Sequence, residues 1–256
     1  MTLRTVTRLW LVACSGAAAW WLQALAGGTA TPATHVSGIV GTLVAAMAAG
    51  VAAFRWCNPP TTAMMQLTTR RLRRSGHSGT LVREWVPLER ISREMWLTAI
   101  AAEDAYFRDH SGFDWDSVRE AHAHNRKHAN QRGGSTITQQ VAKNLFLWPA
   151  RSYVRKGIEA VLTAIIEAVW PKRRILEIYL NIAQFGPDLF GVQAAARRFF
   201  GKDASGLTLQ ESALLTAALP NPVRYQLEAP THQLRFRQSW ILAAAHRLGD
   251  LYLERL

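Results

Sequence analysis

The first 54 residues carry only two charged side chains, Arg4 and Arg8, and no other feature constrains the fold as strongly. Two uncharged apolar segments lie there, at 9–26 and 37–54, separated by the turn-prone sequence GGTATPATH. Each approaches the roughly 17 to 25 residues that a helix needs to cross the hydrocarbon core of a bilayer. We therefore predict a membrane anchor region over residues 1–56, with 9–26 and 37–54 as candidate spans.

The segment 9–26 also has another interpretation, because Arg4 and Arg8 precede a short apolar run as they would in a targeting peptide. Two complete spans would return the chain to the side of the membrane on which it started. Three alternatives stay open: the first segment does not span, it is removed, or the amino terminus faces out. Basic residues flank the apolar region on both sides, so the positive-inside rule does not choose among them.

The formal net charge is +12, and all but three of these charges fall after Arg55. Such a basic domain suits nucleic acid, anionic lipid headgroups or a phosphorylated substrate. A membrane anchor on the same chain favours the last two, and we expect no nucleic acid partner. Residues 57–81, which contain the sequence TTRRLRRSGH, are predicted to form a basic linker or stalk. No cysteine follows Cys57, so the rest of the chain has neither a disulfide framework nor a cysteine-based metal site.

The hydrophobic pattern of residues 82–256 is helical and strand signals are few, which predicts a mainly α domain. Pro171 is expected to end one helix, and a second helix should end before Gly186. Thr208 and Glu211 have the spacing of a capping box at the start of another. The apolar face of the first helix is predicted to contain Ile158, Val161, Leu162, Ile165, Ile166 and Val169.

An acidic pair, Glu103 and Asp104, ends an apolar helical segment and is followed by aromatic residues. A carboxylate at the mouth of a partly apolar pocket can have its pKa raised by desolvation, which suits general acid or base chemistry. The alternative is an ordinary pair of acidic residues at a helix end, making turn hydrogen bonds. His110, in the following turn, is expected to pack or to form hydrogen bonds.

The stretch RGGSTITQQVAKN places Gly133 and Gly134 before a predicted helix start at Ser135 and Thr136. Free N–H groups and the positive end of the helix dipole make such a start a potential anion site. The Gly-Lys-Ser/Thr sequence of a nucleotide-binding loop is absent, so an anionic or sugar ligand is favoured over a nucleotide. The alternative is a plain glycine turn with a polar helix cap. The polar residues left for a face away from the core are Gln139, Gln140 and Lys143.

The stretch RSYVRKGIEAV brings Arg151, Arg155, Lys156 and Glu159 together at the start of an apolar helix. These cations could hold a diphosphate beside the carboxylate. The alternative is an intrahelical ion pair between Arg155 and Glu159, which are four residues apart.

Four groups of residues resemble, in order and spacing, the motifs of the peptidoglycan glycosyltransferases. They are Glu103-Asp-x-x-Phe107-x-x-His110-x-Gly112, Gly133-Gly-Ser-Thr-Ile-Thr-Gln-Gln140 with Lys143-Asn144, Arg155-Lys-x-x-Glu159, and Lys172-x-x-Ile-Leu-Glu177-x-Tyr-Leu-Asn181. The resemblance covers roughly residues 86–225. It implies a lysozyme-like α fold with two lobes about a cleft, one lobe touching the membrane, behind an amino-terminal transmembrane helix or helices. Residues 226–256 are too few for a penicillin-binding transpeptidase domain, so we expect the monofunctional form.

The resemblance also implies the activity. The substrate would be lipid II, the growing glycan strand would be the donor, and the 4-hydroxyl of an incoming lipid II would be the acceptor. The enzyme would be anchored in the bacterial inner membrane with its catalytic domain on the periplasmic face, where cell-division or elongation proteins are expected partners. Some members use a divalent metal, Mg²⁺ or Mn²⁺, near the pyrophosphate, and nothing in this sequence fixes a ligand set for it.

Site residues follow from the same resemblance. Glu103 would be the general base, and Glu159 would lie near the leaving pyrophosphate. Asp104 would organise the base or its neighbours, whereas Glu177 and Asn181 would be structural. The cations expected to neutralise the leaving group are Lys143, Arg151 and Arg155. The residues expected to bind sugar or phosphate are Ser135, Thr136, Gln139 and Gln140.

Two alternatives remain at this point. A glycan-cleaving enzyme of the lysozyme or lytic transglycosylase type would share the fold and use one glutamate as an acid. It has no need for the cations between Arg151 and Lys156, or for an anchor near a lipid substrate. A catalytically silent scaffold that binds lipid II or a division protein is the other alternative, and the presence of both glutamates argues against it.

Overall fold

A computed structural model of the chain describes residues 32–127, 134–150 and 152–256. The described part is mainly helical, as predicted. Its helices are α1 (Pro32–Phe54), α2 (Ala63–Arg74), α3 (Arg93–Glu103), α4 (Trp115–Lys127), α5 (Ile137–Phe146), α6 (Tyr153–Val169), α7 (Lys172–Ile182), α8 (Val192–Phe200), α9 (Leu209–Ala218) and α10 (His232–Leu248). Two short strands, β1 (Val82–Arg83) and β2 (Leu189–Phe190), pair in parallel, with Val82 opposite Leu189. Three 3-10 segments complete the fold, at Leu88–Arg90, Ala204–Gly206 and Asp250–Arg255.

The two candidate membrane spans have different outcomes. The segment 9–26 lies outside the described residues, and 37–54 lies within helix α1. Over the residues that the structure describes, no helix combines the length and apolar character needed to cross a membrane.

The carboxyl end of helix α1 is held against the rest of the domain. Val51 is fully buried, and its carbonyl accepts a hydrogen bond from Trp170 Nε1 at 2.8 Å. The guanidinium of Arg174 donates to the carbonyls of Phe54 and Cys57 at 3.0 and 2.8 Å. These contacts fix the end of α1 to helices α6 and α7.

The segment 57–81, predicted to be a linker or stalk, contains helix α2. Thr62 caps this helix by accepting a hydrogen bond from the N–H of Met65 at 3.1 Å. Met65 and Thr68 are buried, and α2 packs on α5. The sparse apolar residues of this segment hid the helix, because a short amphipathic helix needs only one or two buried positions once a partner is present.

Helix α6 buries the predicted face with one exception, and two polar residues join it. Its buried residues are Glu159, Leu162, Thr163 and Ile166, and the prediction for Val161 is wrong, since that side chain is 41% exposed. The helical rotation of about 100° per residue carries position 161 away from the line through 159, 163 and 166. The other three predicted residues, Ile158, Ile165 and Val169, are partly buried and pack against the core.

Helices α3, α9 and α10 pack on one another, while α5 packs on α6 and α7. The predicted capping box at the start of α9 is present, with Thr208 and Glu211 bonding each other's backbone N–H groups. The predicted ends of α6 and α7 are confirmed as well. In this arrangement the carboxyl end of α3, which carries Glu103, lies beside both α5 and α10.

Candidate active site

Glu103 is the last residue of helix α3 and its side chain is 14% exposed. Its Oε2 accepts a hydrogen bond from Gln140 Nε2 on helix α5 at 2.8 Å. Its Oε1 lies 3.4 Å from a terminal nitrogen of Arg237 on helix α10. The carboxylate therefore keeps partial solvent access between two donors from distant parts of the chain.

Asp104 links the acidic pair to the start of helix α5. It is buried, and its Oδ2 accepts a hydrogen bond from the backbone N–H of Ile137 at 2.9 Å. Its Oδ1 lies 2.7 Å from His110 Nε2. The sequence predicted that this helix start binds an anion, and in the structure the carboxylate of Asp104 takes that place.

The ring of His110 is fixed on both sides. Its Nδ1 accepts a hydrogen bond from the N–H of Gly112 at 3.0 Å, so the Nε2 position carries the proton that is donated to Asp104. Gly112 has a φ of +88°, and a Cβ there would lie 2.7 Å from Thr163 Cγ2. The glycine of the first motif is therefore required by backbone conformation and by space. The expectation that His110 forms hydrogen bonds is confirmed.

Thr136 and Gln139 form a capping box at the start of helix α5. The Thr136 hydroxyl accepts from the N–H of Gln139 at 3.2 Å and donates to the carbonyl of Gly112 at 2.7 Å. Gln139 Oε1 accepts from the N–H of Thr136 at 3.0 Å, and both side chains are buried. Thr136-Ile-Thr-Gln139 has the same form as the predicted capping box at Thr208, so the same rule could have found it.

The remaining residues of the second motif differ in exposure. Ser135 is exposed, and Gln140 is half-buried because it reaches Glu103. A Cβ on Gly134 would lie 3.3 Å from the Val118 backbone, so close packing against helix α4 accounts for this glycine. Gly133 lies outside the described residues.

Glu159 is buried, with its side chain 3% exposed, and both carboxylate oxygens face cations. Arg155 binds Oε2 at 2.6 Å, and Lys156 binds Oε1. Arg155 Nε also donates to the carbonyl of Ala150 at 2.6 Å. The intrahelical ion pair considered from the sequence is present, and Lys156 extends it to a cluster of three. Arg151 lies outside the described residues.

Lys143 lies within electrostatic reach of both glutamates. Burial lowers the pKa of its amine, the negative charge of Glu159 opposes that shift, Arg155 and Lys156 add to it, and Glu103 opposes it again. The charges of the first motif's carboxylate and of the third motif's cluster therefore both act on this lysine.

Glu167 was not singled out by the sequence, although it joins three of the motifs. Its Oε1 accepts from Thr138 Oγ1 at 2.5 Å and from Lys172 Nζ at 2.9 Å. Lys172 also donates to the carbonyl of His110 at 2.6 Å and lies 4.6 Å from the centre of the Phe107 ring. Residues so far apart in the chain give no local signal, so only the fold could reveal this cluster.

The fourth motif makes structural contacts, as expected. Asn181 is buried, accepts from the N–H of Val86 at 2.9 Å and donates to the carbonyl of the same residue at 2.9 Å. Glu177 forms an ion pair with Arg174. Tyr179 lies between Glu177 and Asn181 in the sequence, and its side chain is buried. Burial raises the pKa of its hydroxyl well above the usual value, and the negative charges of Glu103 and Asp104 raise it further.

The described residues do not present a ready metal ligand set. No group of three His, Cys, Asp or Glu side chains in this part of the chain is arranged to hold a metal ion. Glu159 is the carboxylate expected beside the pyrophosphate, and Arg155 and Lys156 already occupy its two oxygens. A divalent metal stays a prediction from the resemblance.

Comparisons with known proteins identify the family. Residues 71–246 match the family model described as Transglycosylase. A protein named biosynthetic peptidoglycan transglycosylase from Aeromonas hydrophila is 46% identical over 228 residues, which are 86% of this chain and 94% of the relative. Proteins of the same name from Pectobacterium carotovorum and Escherichia coli are 54% identical over 173 residues and 56% identical over 167 residues. These alignments cover 67% and 65% of this chain, and 71% and 69% of the respective relatives. Because the family model and these relatives each extend over most of the chain, it belongs to the transglycosylase family of glycosyl-transferring enzymes.

Proposed function

We propose that this enzyme polymerises lipid II into β-1,4-linked glycan strands and releases undecaprenyl pyrophosphate. The growing strand is the donor, and the 4-hydroxyl of an incoming lipid II is the acceptor. The observation that carries the proposal is the presence of two differently held carboxylates: Glu103 is partly exposed and oriented by Gln140, and Glu159 is buried and holds two cations. The reaction needs this arrangement, because a base and a site for a leaving diphosphate must lie on two sides of one sugar.

Glu103 is the general base in this proposal. Its carboxylate takes the proton of the acceptor hydroxyl while that oxygen bonds to the anomeric carbon of the donor. The bond from this carbon to the pyrophosphate breaks at the same time, so the α-linked donor gives a β-linked product. The partial exposure of Glu103 and its hydrogen bond from Gln140 support this role, since an ionised carboxylate must be both oriented and accessible.

The cations next to Glu159 receive the leaving group. As the pyrophosphate departs, its negative charge grows, and nearby fixed cations stabilise that charge. Lys143, Arg155 and Lys156 are available for this, and Arg151 is proposed to join them. Glu159 holds Arg155 and Lys156 in place from a buried position, which explains why a carboxylate lies in a site for an anion.

The residues around the acidic pair position the site. Asp104 ties Glu103 to helix α5, while Thr136 and Gln139 cap the same helix. The side chains of Asp104, Thr136 and Gln139 already make these hydrogen bonds. We therefore propose that these three residues shape the sugar-binding surface. Ser135, which is exposed at the helix start, is the member of this motif best placed to contact substrate directly.

Membrane attachment belongs to the proposal as well. Lipid II is carried by a membrane lipid, so the active site must work near the bilayer surface. We propose that residues 1–56 anchor the enzyme in the inner membrane with its catalytic domain outside the cytoplasm. The contacts of Val51 and Phe54 with helices α6 and α7 support this, because they hold the anchor region against the domain that carries Glu159. Division or elongation proteins are proposed partners in the same membrane.

The test is to incubate the purified full-length protein with lipid II and, separately, with polymeric cell wall. Growth of glycan chains from lipid II, with release of undecaprenyl pyrophosphate, is the expected result. Soluble fragments from the polymer, together with no growth from lipid II, would instead support a glycan-cleaving enzyme. Binding of lipid II without either reaction would support a silent scaffold.

A further inference from the structure

Helix α10 brings Arg237 to Glu103, although no motif in the sequence gave this residue a role. A terminal nitrogen of its guanidinium lies 3.4 Å from Glu103 Oε1. Gln140 binds the other oxygen, Oε2. Each carboxylate oxygen therefore has its own donor, one from α10 and one from α5, and together they limit rotation of the carboxylate.

The contact between Arg237 and Glu103 is looser than the ion pair in the other half of the site. Arg155 lies 2.6 Å from Glu159, compared with 3.4 Å for Arg237 and Glu103. A close pair would oppose protonation of the carboxylate, because hydrogen bonds to the charged form stabilise that form. A looser contact leaves the carboxylate able to accept a proton while a positive charge stays beside it.

The guanidinium also has an unused donor. Arg237 Nε is buried and has no hydrogen-bond partner among the residues that the structure describes. An unsatisfied buried donor costs free energy. Helix α10 therefore holds the guanidinium with a terminal nitrogen on Glu103 and with Nε unpaired among the described residues.

We propose that Arg237 is a positioning residue for the general base, which keeps Glu103 oriented and favours its ionised form between successive proton transfers. The inference rests on the proposed role of Glu103. Every proton taken from an acceptor hydroxyl must pass to solvent before the next sugar is added. A fixed cation beside the carboxyl group favours that release.

Other charged or titratable groups also act on Glu103 and must be considered with Arg237. Among the described residues they are Asp104 next to it, Lys143 from helix α5 and Tyr179 from helix α7. Tyr179 stays neutral, since burial raises the pKa of its hydroxyl well above the usual value. Loss of Arg237 removes one of the two cations, Lys143 and Arg237, near the Glu103 carboxylate, while Asp104 stays beside it.

The experiment measures the rate of lipid II polymerisation by the full-length protein as a function of pH. The variants are Arg237→Gln and Arg237→Lys. Arg235→Gln is the matched control, because Arg235 lies on the same helix, is exposed and hydrogen-bonds to Gln238 rather than to Glu103. Thermal unfolding of each variant reports whether it is folded.

We expect Arg237→Gln to move the acid limb of kcat/KM to higher pH by about 0.5 to 1 unit, because a partly exposed cation next to the base is lost. Its kcat should fall more than its KM rises. Arg237→Lys should keep the acid limb of the wild type, since the charge is retained, and lower kcat because the planar guanidinium is gone. Arg235→Gln should have the profile of the wild type.

An unchanged acid limb in folded Arg237→Gln would overturn the inference, and so would an equal shift in Arg235→Gln. If Arg237→Gln does not fold, the test is made with Arg237→Lys. Either a wild-type kcat or a shifted acid limb in that variant would overturn the inference. Glu103→Gln separates this inference from the proposed function. An active Glu103→Gln enzyme would refute both the role of Arg237 and the proposed role of Glu103. An inactive Glu103→Gln enzyme together with an unchanged pH profile in Arg237→Gln would refute only the role of Arg237.

Discussion

The carboxylate of Asp104 accepts a hydrogen bond from the backbone N–H of Ile137 at 2.9 Å, so the residue beside the proposed base is fixed to the first turn of helix α5. The same carboxylate binds His110. One buried acidic side chain thus joins the first motif to the second. The relative position of Glu103 and the residues of α5 depends on this link.

Replacement of Asp104 by Asn should break that link. An amide has only one acceptor oxygen, so one of the two donors, the Ile137 N–H or His110 Nε2, would face an NH₂ group. We expect the free energy of unfolding to fall by about 2 kcal/mol, as for other buried donors left unsatisfied. Polymerisation should fall as well, because the geometry between Glu103 and α5 is disturbed. Asp109→Asn is the control, since the Asp109 side chain is 47% exposed and its replacement should change stability by less than about 0.5 kcal/mol. Chemical denaturation of both variants measures the difference, and equal stabilities would contradict the account.

Glu167 should matter more for stability than an exposed acidic residue with a similar partner. Its side chain is 8% exposed and binds Lys172 and Thr138, whereas Glu89 is 66% exposed and binds Arg173. Glu167→Gln should lower the free energy of unfolding by about 2 kcal/mol, because a buried ion pair loses one partner. Glu89→Gln should lower it by less than about 0.5 kcal/mol. A thermal-unfolding comparison that found the opposite order would show that the cluster around Lys172 is not a stabilising one.

Much of the site could be predicted from local patterns in the sequence. The apolar face of α5, the box that caps α9 and the end of α6 before Pro171 each follow from residues within a few positions of one another. The ion pair between Arg155 and Glu159 follows from their spacing of four residues in the same way.

Contacts between distant segments could not be predicted in this way. Arg237 lies 134 positions from Glu103, and no periodicity or capping rule connects them. Glu167 and Thr138 are 29 positions apart, and the helix that carries Glu167 was interpreted by its apolar residues alone. Val161 was misplaced for a related reason, because hydrophobicity does not say that Glu159 and Thr163 occupy the buried face instead.

The charge of Lys143 should limit activity at alkaline pH. Burial lowers the pKa of its amine from the ordinary 10.5, so the amine loses its proton, and the site loses a positive charge, at a lower pH than an exposed lysine would. The alkaline limb of kcat should therefore lie below pH 10.5. Lys143→Arg should move that limb to higher pH, because a guanidinium stays charged. Lys202→Arg is the control, since Lys202 pairs with Glu211 away from the motifs, and it should leave the limb in place. A limb that does not move in Lys143→Arg would rule out this lysine as its source.

Glu159→Gln should cause a large loss of turnover. The amide cannot balance Arg155 and Lys156, so both cations would be free to move away from the leaving group. We expect kcat to fall by about 100-fold or more, the scale seen when a positioned electrostatic group is lost. Glu177→Gln is the matched control, because Glu177 also forms a partly buried ion pair with an arginine of its own helix, Arg174. Unlike Glu159, it lies in the structural motif. It should lose stability and keep its kcat. Near-normal turnover in Glu159→Gln would make that carboxylate only an ion-pair partner of Arg155.

Transfer of the acceptor hydroxyl's proton to Glu103 is the step on which the proposed mechanism depends. Its most direct test is the rate of lipid II polymerisation by the full-length Glu103→Gln protein, measured beside the wild type at matched thermal stability. Glutamine has nearly the same shape and can keep its contact with Gln140, but it cannot accept the proton. We expect a folded protein that forms no glycan chain, and a folded Glu103→Gln protein that still polymerises lipid II would rule out Glu103 as the base.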